Sequence, residues 1–242
     1  MSVRTSHGIV ELFDDFLLSA DLTGWNDNTE NSGTAAQLAN REDGYLELTT
    51  GTTDGNRSQV TGERVWRAES GGPLIFEAGL VNLTAVTLRA LFVGFTDVTT
   101  IENPIESSSG ADTFVTTASD GVGFVYDTGG TTDVWKVAGV DSDVDAAGNG
   151  IIAARFTERT PVSGTDQALK LVINENGEAE FFLNGEMVNT GSNVSGWKHD
   201  MLLDNAVSPD VNLCPTVLIE TRSAAAVTAY CDYLYCMKGR NP

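Results

Sequence analysis

Basic residues are scarce in this chain: 14 Lys and Arg stand against 34 Asp and Glu among 242 residues, a formal net charge of -20 at pH 7. Phosphate backbones and anionic lipid surfaces are held by clustered Lys and Arg, so neither nucleic acid nor a membrane is expected as a partner. The acidity leaves two readings open: it keeps the protein soluble, or it complements a basic surface or gathers divalent cations. Histidine occurs only as His7 and His199, and a Ser-His-Asp triad would have to use one of them. His7 lies in the polar "MSVRTSHG" and His199 in the polar "GSNVSGWKHD", so both are expected as exposed loop residues. No G-x-S-x-G, phosphate-loop or C-x-x-C motif occurs, which removes sequence support for phosphate binding and for a zinc site.

Long apolar runs are missing too. No stretch has the length to cross a bilayer, and the opening "MSVRTSHGIVELFDDF" has no apolar segment of the kind a secretory leader needs. Cysteine is limited to Cys214, Cys231 and Cys236. Cys231 and Cys236 are an odd number of positions apart, so on one regular strand they would face opposite sides and could not bond each other without a bulge. Buried free thiols and synthesis in a reducing cytoplasm are the expectation. In that setting the sequons at Asn56, Asn82 and Asn193 mean little.

Helical spacing is rare as well, and what replaces it is a series of short β-rich runs. These are "GYLELTT" (44–50), "PLIFEAGLV" (73–81), "LRALFVGFTDV" (88–98), "DGVGFVYDT" (120–128), "ALKLVINENGEAEFFLNGEMV" (168–188), "CPTVLIETR" (214–222) and "TAYCDYLYCMK" (228–238). Short strands punctuated by turns argue for an all-β sandwich or barrel. Hydrophobicity continues without a Pro- or Ser-rich linker, so residues 16–242 read as one domain. Residues 1–15 read as a separate N-terminal segment, either a terminal strand of the sandwich or an arm that docks on a neighbouring subunit.

The strongest local signal lies at residues 168–188. Leu169, Leu171 and Ile173 alternate with Lys170, Val172 and Asn174. Asn176-Gly177 predicts a type I′ turn, which needs positive φ at both central residues. The return strand puts Ala179, Phe181 and Leu183 on one face, and Asn184-Gly185 turns the chain again. Three successive strands are expected to form a meander.

The segments "LFDDFLLSADLTGW", "GYLELTTG", "LFVGFTD" with "GVGFVYD", and "LKLVINENGEAEFFLNGEMVNTG" together resemble the concanavalin A-like lectin/glucanase sandwich. The last is similar to a laminin-G hairpin. Closed by "AYCDYLYCMKGR", the combination more narrowly resembles virion structural proteins of tailed bacteriophages. The resemblance spans most of residues 11–238 and implies a jelly-roll β-sandwich of two curved antiparallel sheets. It further implies a non-enzymatic capsid decoration or cement protein, made in the host cytoplasm and located on the virion surface. Its expected partners are the major capsid protein and other copies of itself, with a trimer as the expected homo-oligomer. Val3, Arg4 and Val10, with loops 99–119 and 139–166, are the expected contacts with the capsid or with neighbouring subunits. The alternative is a carbohydrate-binding, lectin-like module.

Glucanases of that family carry two or three carboxylates on one strand face, two residues apart. The nearest match is Glu178 and Glu180, but Phe182 stands where a third acid belongs, and the pair is read as solvated strand residues. "DSDVDAAGNG" sets Asp141, Asp143 and Asp145 at alternating positions, a Ca²⁺-like pattern. An EF-type loop would need Gly where Ala146 stands and Glu where Ile152 stands, so a solvated acidic loop is expected and calcium is the weaker reading. Among Trp25, Trp66, Trp135 and Trp197, the sequence surroundings of Trp135 and Trp197 make them candidate sugar platforms. Packing at a sheet edge or subunit contact competes with that role.

Overall fold

The computed structural model describes residues 2–6, 9–17, 22, 24–38, 44–69, 71–81, 86–107, 110, 113–142, 153–156, 160–188, 197–199 and 202–239. Side chains are described for all of these except 2–6, 153–156 and 197–199.

No helix occurs among the described residues. The strands assemble into two large antiparallel sheets. The first, eleven-stranded, contains β1 (Ser2–Ser6), β2 (Ile9–Asp14), β4 (Thr34–Gln37), β5 (Leu46–Thr49), β7 (Leu74–Val81), β14 (Gln167–Ile173), β15 (Ala179–Leu183), β16 (Glu186–Met187), β17 (Trp197–His199), β18 (Leu202–Leu203) and β20 (Thr228–Gly239). The second, seven-stranded, runs β13 (Ala153–Phe156), β12 (Lys136–Val140), β11 (Gly121–Asp127), β8 (Arg89–Thr96), β19 (Cys214–Thr221), β6 (Arg57–Gly62) and β3 (Trp25–Thr29). A short ribbon, β9 (Ile105–Ser107) with β10 (Phe114–Thr116), stands outside both.

The two sheets differ in burial, and the difference was written into their sequences. Along β14 burial alternates strictly, with Leu169, Leu171 and Ile173 inside and Lys170 and Val172 partly exposed. Strands β8, β11, β12 and β19 are buried at every position, so "LRALFVGFTDV" and "CPTVLIETR" read as near-continuous apolar runs. Where β8 and β11 pair, Gly94 lies opposite Gly123, and a Cβ at Gly94 would overlap the Val122 carbonyl.

The main core lies between the sheets. Phe76 of β7 meets Phe95 of β8 with ring centroids 5.5 Å apart. Phe181 of β15 meets Phe124 of β11 at 5.3 Å. Such edge and tilted contacts suit the charge distribution of aromatic rings.

The 168–188 meander forms, with its first turn of a different type from the expectation. Neither Glu175 nor Asn176 has positive φ, while Gly177 sits at φ 78°. The Gly177 N–H donates to the Asn174 carbonyl at 3.0 Å, and Asn174 Oδ1 accepts the N–H groups of Asn176 (2.9 Å) and Glu178 (3.1 Å). The Asn174 side chain thus organises a longer turn closed by one left-handed glycine. The type I′ geometry occurs at Asn184 (φ 53°) and Gly185 (φ 77°), the two residues between the paired Leu183 and Glu186. Glu178, expected in solvent, is buried and accepts a hydrogen bond from Asn174 Nδ2 at 2.6 Å.

Strand β1 pairs antiparallel with β2, which joins the sheet through β20. Val10 packs against the main core, so of the expected surface contacts it is turned largely inward. Val3 and Arg4 lie in β1, opposite Leu12 and Glu11.

Candidate functional site

The outward face of the seven-stranded sheet carries the polar chemistry. Strand register decides which residues reach it. Val217 and Ile219 of β19 belong to the inter-sheet core, so Thr216, Leu218 and Glu220 point the other way. They are joined there by Gln59, Thr61, Phe92, Val125, Asp127, Lys136 and Ala138.

A second apolar cluster occupies the middle of this face. Phe92, Val125, Ala138, Val140 and Leu218 pack beneath Ile105 and Ala118 of the segment 97–120. Gln59 Nε2 donates to the Thr100 carbonyl at 3.2 Å, and the Ser107 N–H donates to Asp127 Oδ2 at 2.9 Å. The fully buried Lys136 donates from Nζ to Ser107 Oγ at 2.9 Å. Much of the expected 99–119 contact loop is therefore a strap laid across the sheet.

Polar grooves flank the strap. The first, about 450 Å³, is lined by Asp54, Gly55, Glu106, Ser107, Val115, Gly129 and Arg222. At its floor the Arg222 guanidinium meets Glu220 at 2.5 Å, Glu106 at 2.6 Å and Asp127 at 2.7 Å. Glu220 also accepts from Arg57 Nε at 2.9 Å. Burial pushes the Glu220 carboxyl above its usual range, against the pull of Arg222 and Arg57. The second groove, about 440 Å³, lies beside edge strand β3 and is lined by Trp25, Asn26, Asp27, Asn28, Thr61, Gly62, Glu63, Arg64 and Thr99. Asn26 and Asn28 pair with Thr61 and Gln59 of β6, so they share the outward face with them. Arg64 donates from Nε to the Asn212 carbonyl at 2.9 Å and lies 3.8 Å from Asp97.

The residues singled out from sequence fall elsewhere. Trp135 is completely buried, its ring against Phe124 and Tyr126 and its Nε1 donating to Gln167 Oε1 at 2.9 Å. It is a core residue, packed in the cluster between the sheets just ahead of β12, and no sugar can stack on it. Trp197 and His199 lie in β17 rather than a loop, opposite Leu203 and Leu202, and their side chains are outside the described set. Asp141 accepts hydrogen bonds from Ser142 Oγ (2.8 Å) and from Ser208 Oγ. Asp143 and Asp145 lie outside the described residues, as does His7. Among the described residues no group of three or more His, Cys, Asp or Glu could hold a metal ion. Both grooves were missed from sequence, because their residues come from segments far apart in the chain. The one available cue was "WNDNT", an aromatic beside alternating amides and acid in a strand-like run.

No family model and no curated protein matches this chain. Solved structures do match over nearly its full length. The carbohydrate recognition domain of Emp47p aligns at TM-score 0.55 and 8% identity, covering 96% of this chain and 95% of that one. A glycoside hydrolase family 16 endo-glucanase from Bacteroides ovatus aligns at 0.57 and 11%, covering 93% and 99%. An immunostimulatory antigen and pseudo β-1,3-glucanase of Mycobacterium tuberculosis aligns at 0.57 and 11%, covering 95% and 98%. The fold is the concanavalin A-like jelly-roll sandwich.

Proposed function

We propose that this chain is a carbohydrate-binding module that holds its ligand without cleaving it, at the groove beside β3. The observation that carries this reading is the groove's lining: amides of Asn26 and Asn28, hydroxyls of Thr61 and Thr99, and the charged groups of Glu63 and Arg64 converge on about 440 Å³. Convergent amides, hydroxyls and charged groups suit a neutral, hydroxyl-rich ligand, since each sugar hydroxyl both donates and accepts. The fold neighbours named above, a carbohydrate recognition domain among them, support the same class.

The non-catalytic part of the proposal draws its support from the carboxylates of the other groove. Glycoside hydrolysis requires two carboxyl groups free to flank the sugar, one as acid and one as base or nucleophile. Here Glu106, Asp127 and Glu220 each form an ion pair with Arg222. Capsid decoration as a homo-oligomer draws support from none of the three neighbours, and Val10, one of its expected contacts, packs against the core.

The test is a glycan array and a polysaccharide depletion assay on the purified chain and on Asn28→Ala and Arg64→Ala. Binding weakened tenfold or more by either substitution, with unchanged Tm and no reducing-sugar release, is the expected result. Failure to bind any glycan would overturn the reading, and release of reducing sugar would overturn its non-catalytic part.

A further inference from the structure

Arg89 opens β8 with its side chain turned inward. Leu91 and Val93, on the same side of the strand, belong to the inter-sheet core, whereas Ala90 faces outward in register with Glu220 and Asp127. The alternation of the strand therefore places both carboxylates on the opposite face of the sheet from the arginine. Arg89 is fully buried. Its Nη1 donates to the Thr228 carbonyl at 2.9 Å. Nε and Nη2 are buried and find no hydrogen-bond partner among the described residues.

Those two atoms form one edge of the guanidinium, the edge that binds two oxygens of a carboxylate side-on. The same edge of Arg222 grips both oxygens of Asp127, Nε to Oδ1 at 3.0 Å and Nη2 to Oδ2 at 2.7 Å. In Arg89 that edge is buried, and leaving two charged donors unsatisfied there is costly. Deprotonation offers no escape at neutral pH, because burial lowers the group only to about 10. Tyr126, the charged or titratable neighbour felt by Arg89, donates its own hydroxyl to the Val86 carbonyl at 2.5 Å.

We infer that Arg89 is an internal binding site for a small planar oxyanion of formate, nitrate or bicarbonate size, held side-on by Nε and Nη2. Full burial restricts the ligand to an ion of few atoms, and the two-donor edge selects two adjacent oxygens over a spherical halide. The site is independent of the surface grooves, so it stands or falls apart from the carbohydrate reading.

The experiment is thermal unfolding of the full chain at constant ionic strength while chloride is replaced by sodium formate or sodium nitrate. An ion that binds only the folded state raises Tm with concentration, by about 3–6 °C at ten times its dissociation constant for a chain of this size. The expected result is that rise with formate and nitrate. Arg89→Met should abolish the response, and Arg89→Lys, which keeps the charge but lacks the fork, should abolish the preference over chloride. A wild-type Tm indifferent to the anion, or equal with chloride and formate, overturns the inference. So does a formate response that survives in Arg89→Met. If Arg89→Met does not fold, Arg89→Lys and the wild-type series decide it.

Discussion

Cys231 and Cys236 share the inward face of β20 although an odd number of positions separates them. The register shifts between Cys231 and Tyr233: Cys231 pairs with Leu80 and Cys236 with Phe76, so five steps on β20 match four on β7. The bulge adds one residue and reverses the alternation. Both thiols are free and fully buried. The free, buried state was the expectation from sequence, but the opposite-face geometry was not borne out.

That burial makes the protein sensitive to alkali. Burial pushes the Cys231 thiol up to about 12 from 9.0 and Cys214 up to about 11, and raises Cys236 well above 9.0. Their folded values lie above the unfolded ones, so the unfolded chain releases protons that the folded chain keeps. This contribution is fully present below pH 9 and is lost as pH rises toward 11–12. The expected slope is about 1.4 kcal/mol per pH unit for each thiol above pH 9. Denaturant unfolding between pH 8 and 11 measures it, and Cys231→Ala should make the fall shallower by about one thiol's share.

Arg222→Ala removes the cation on which Glu106, Asp127 and Glu220 converge. Asp127 is completely buried, and stranding a buried carboxylate costs about 3–5 kcal/mol. Arg222→Lys should recover only part, since an ammonium cannot grip both Asp127 oxygens side-on. Chemical denaturation of the two variants tests the order.

The two turn glycines of the meander should respond differently to alanine. At Gly185 a Cβ meets nothing within 4 Å, so Gly185→Ala carries only the strain of a left-handed residue, about 1 kcal/mol. At Gly177 a Cβ would overlap the Val207 carbonyl, and the Gly177 carbonyl accepts the N–H groups of Ala206 (3.0 Å) and Val207 (3.2 Å). Gly177→Ala is expected to cost about 2–3 kcal/mol. Equal costs would mean that the contact with residues 206–207 is not formed.

Trp135 and Asn28 should separate stability from recognition. Trp135→Ala removes a buried indole and is expected to cost about 3–5 kcal/mol. Asn28→Ala, on a half-buried groove residue, should leave stability within about 0.5 kcal/mol and act on glycan binding. Paired melting and binding curves check both.

What the chain determined by itself was the period of its elements. Alternation in "ALKLVIN" and "AEFFL" specified one-sided strands, and the apolar-rich runs at 88–98 and 214–222, without that alternation, specified strands covered on both faces. Turn type was half legible: Asn-Gly marked both bends, but the Asn174 side chain, through its backbone partners, selected the longer form at the first. Only the tertiary structure decided which way each strand faces and what gathers on a face. Trp135, with its nearby glycines, read as a candidate surface platform, yet it packs into the core between the sheets. Arg222 joined acids 95 and 116 positions away, and the β3 groove drew on residues from Trp25 to Thr99. Local physics is written residue by residue, whereas a site is a coincidence of distant strands, fixed by register and by which face the core claims.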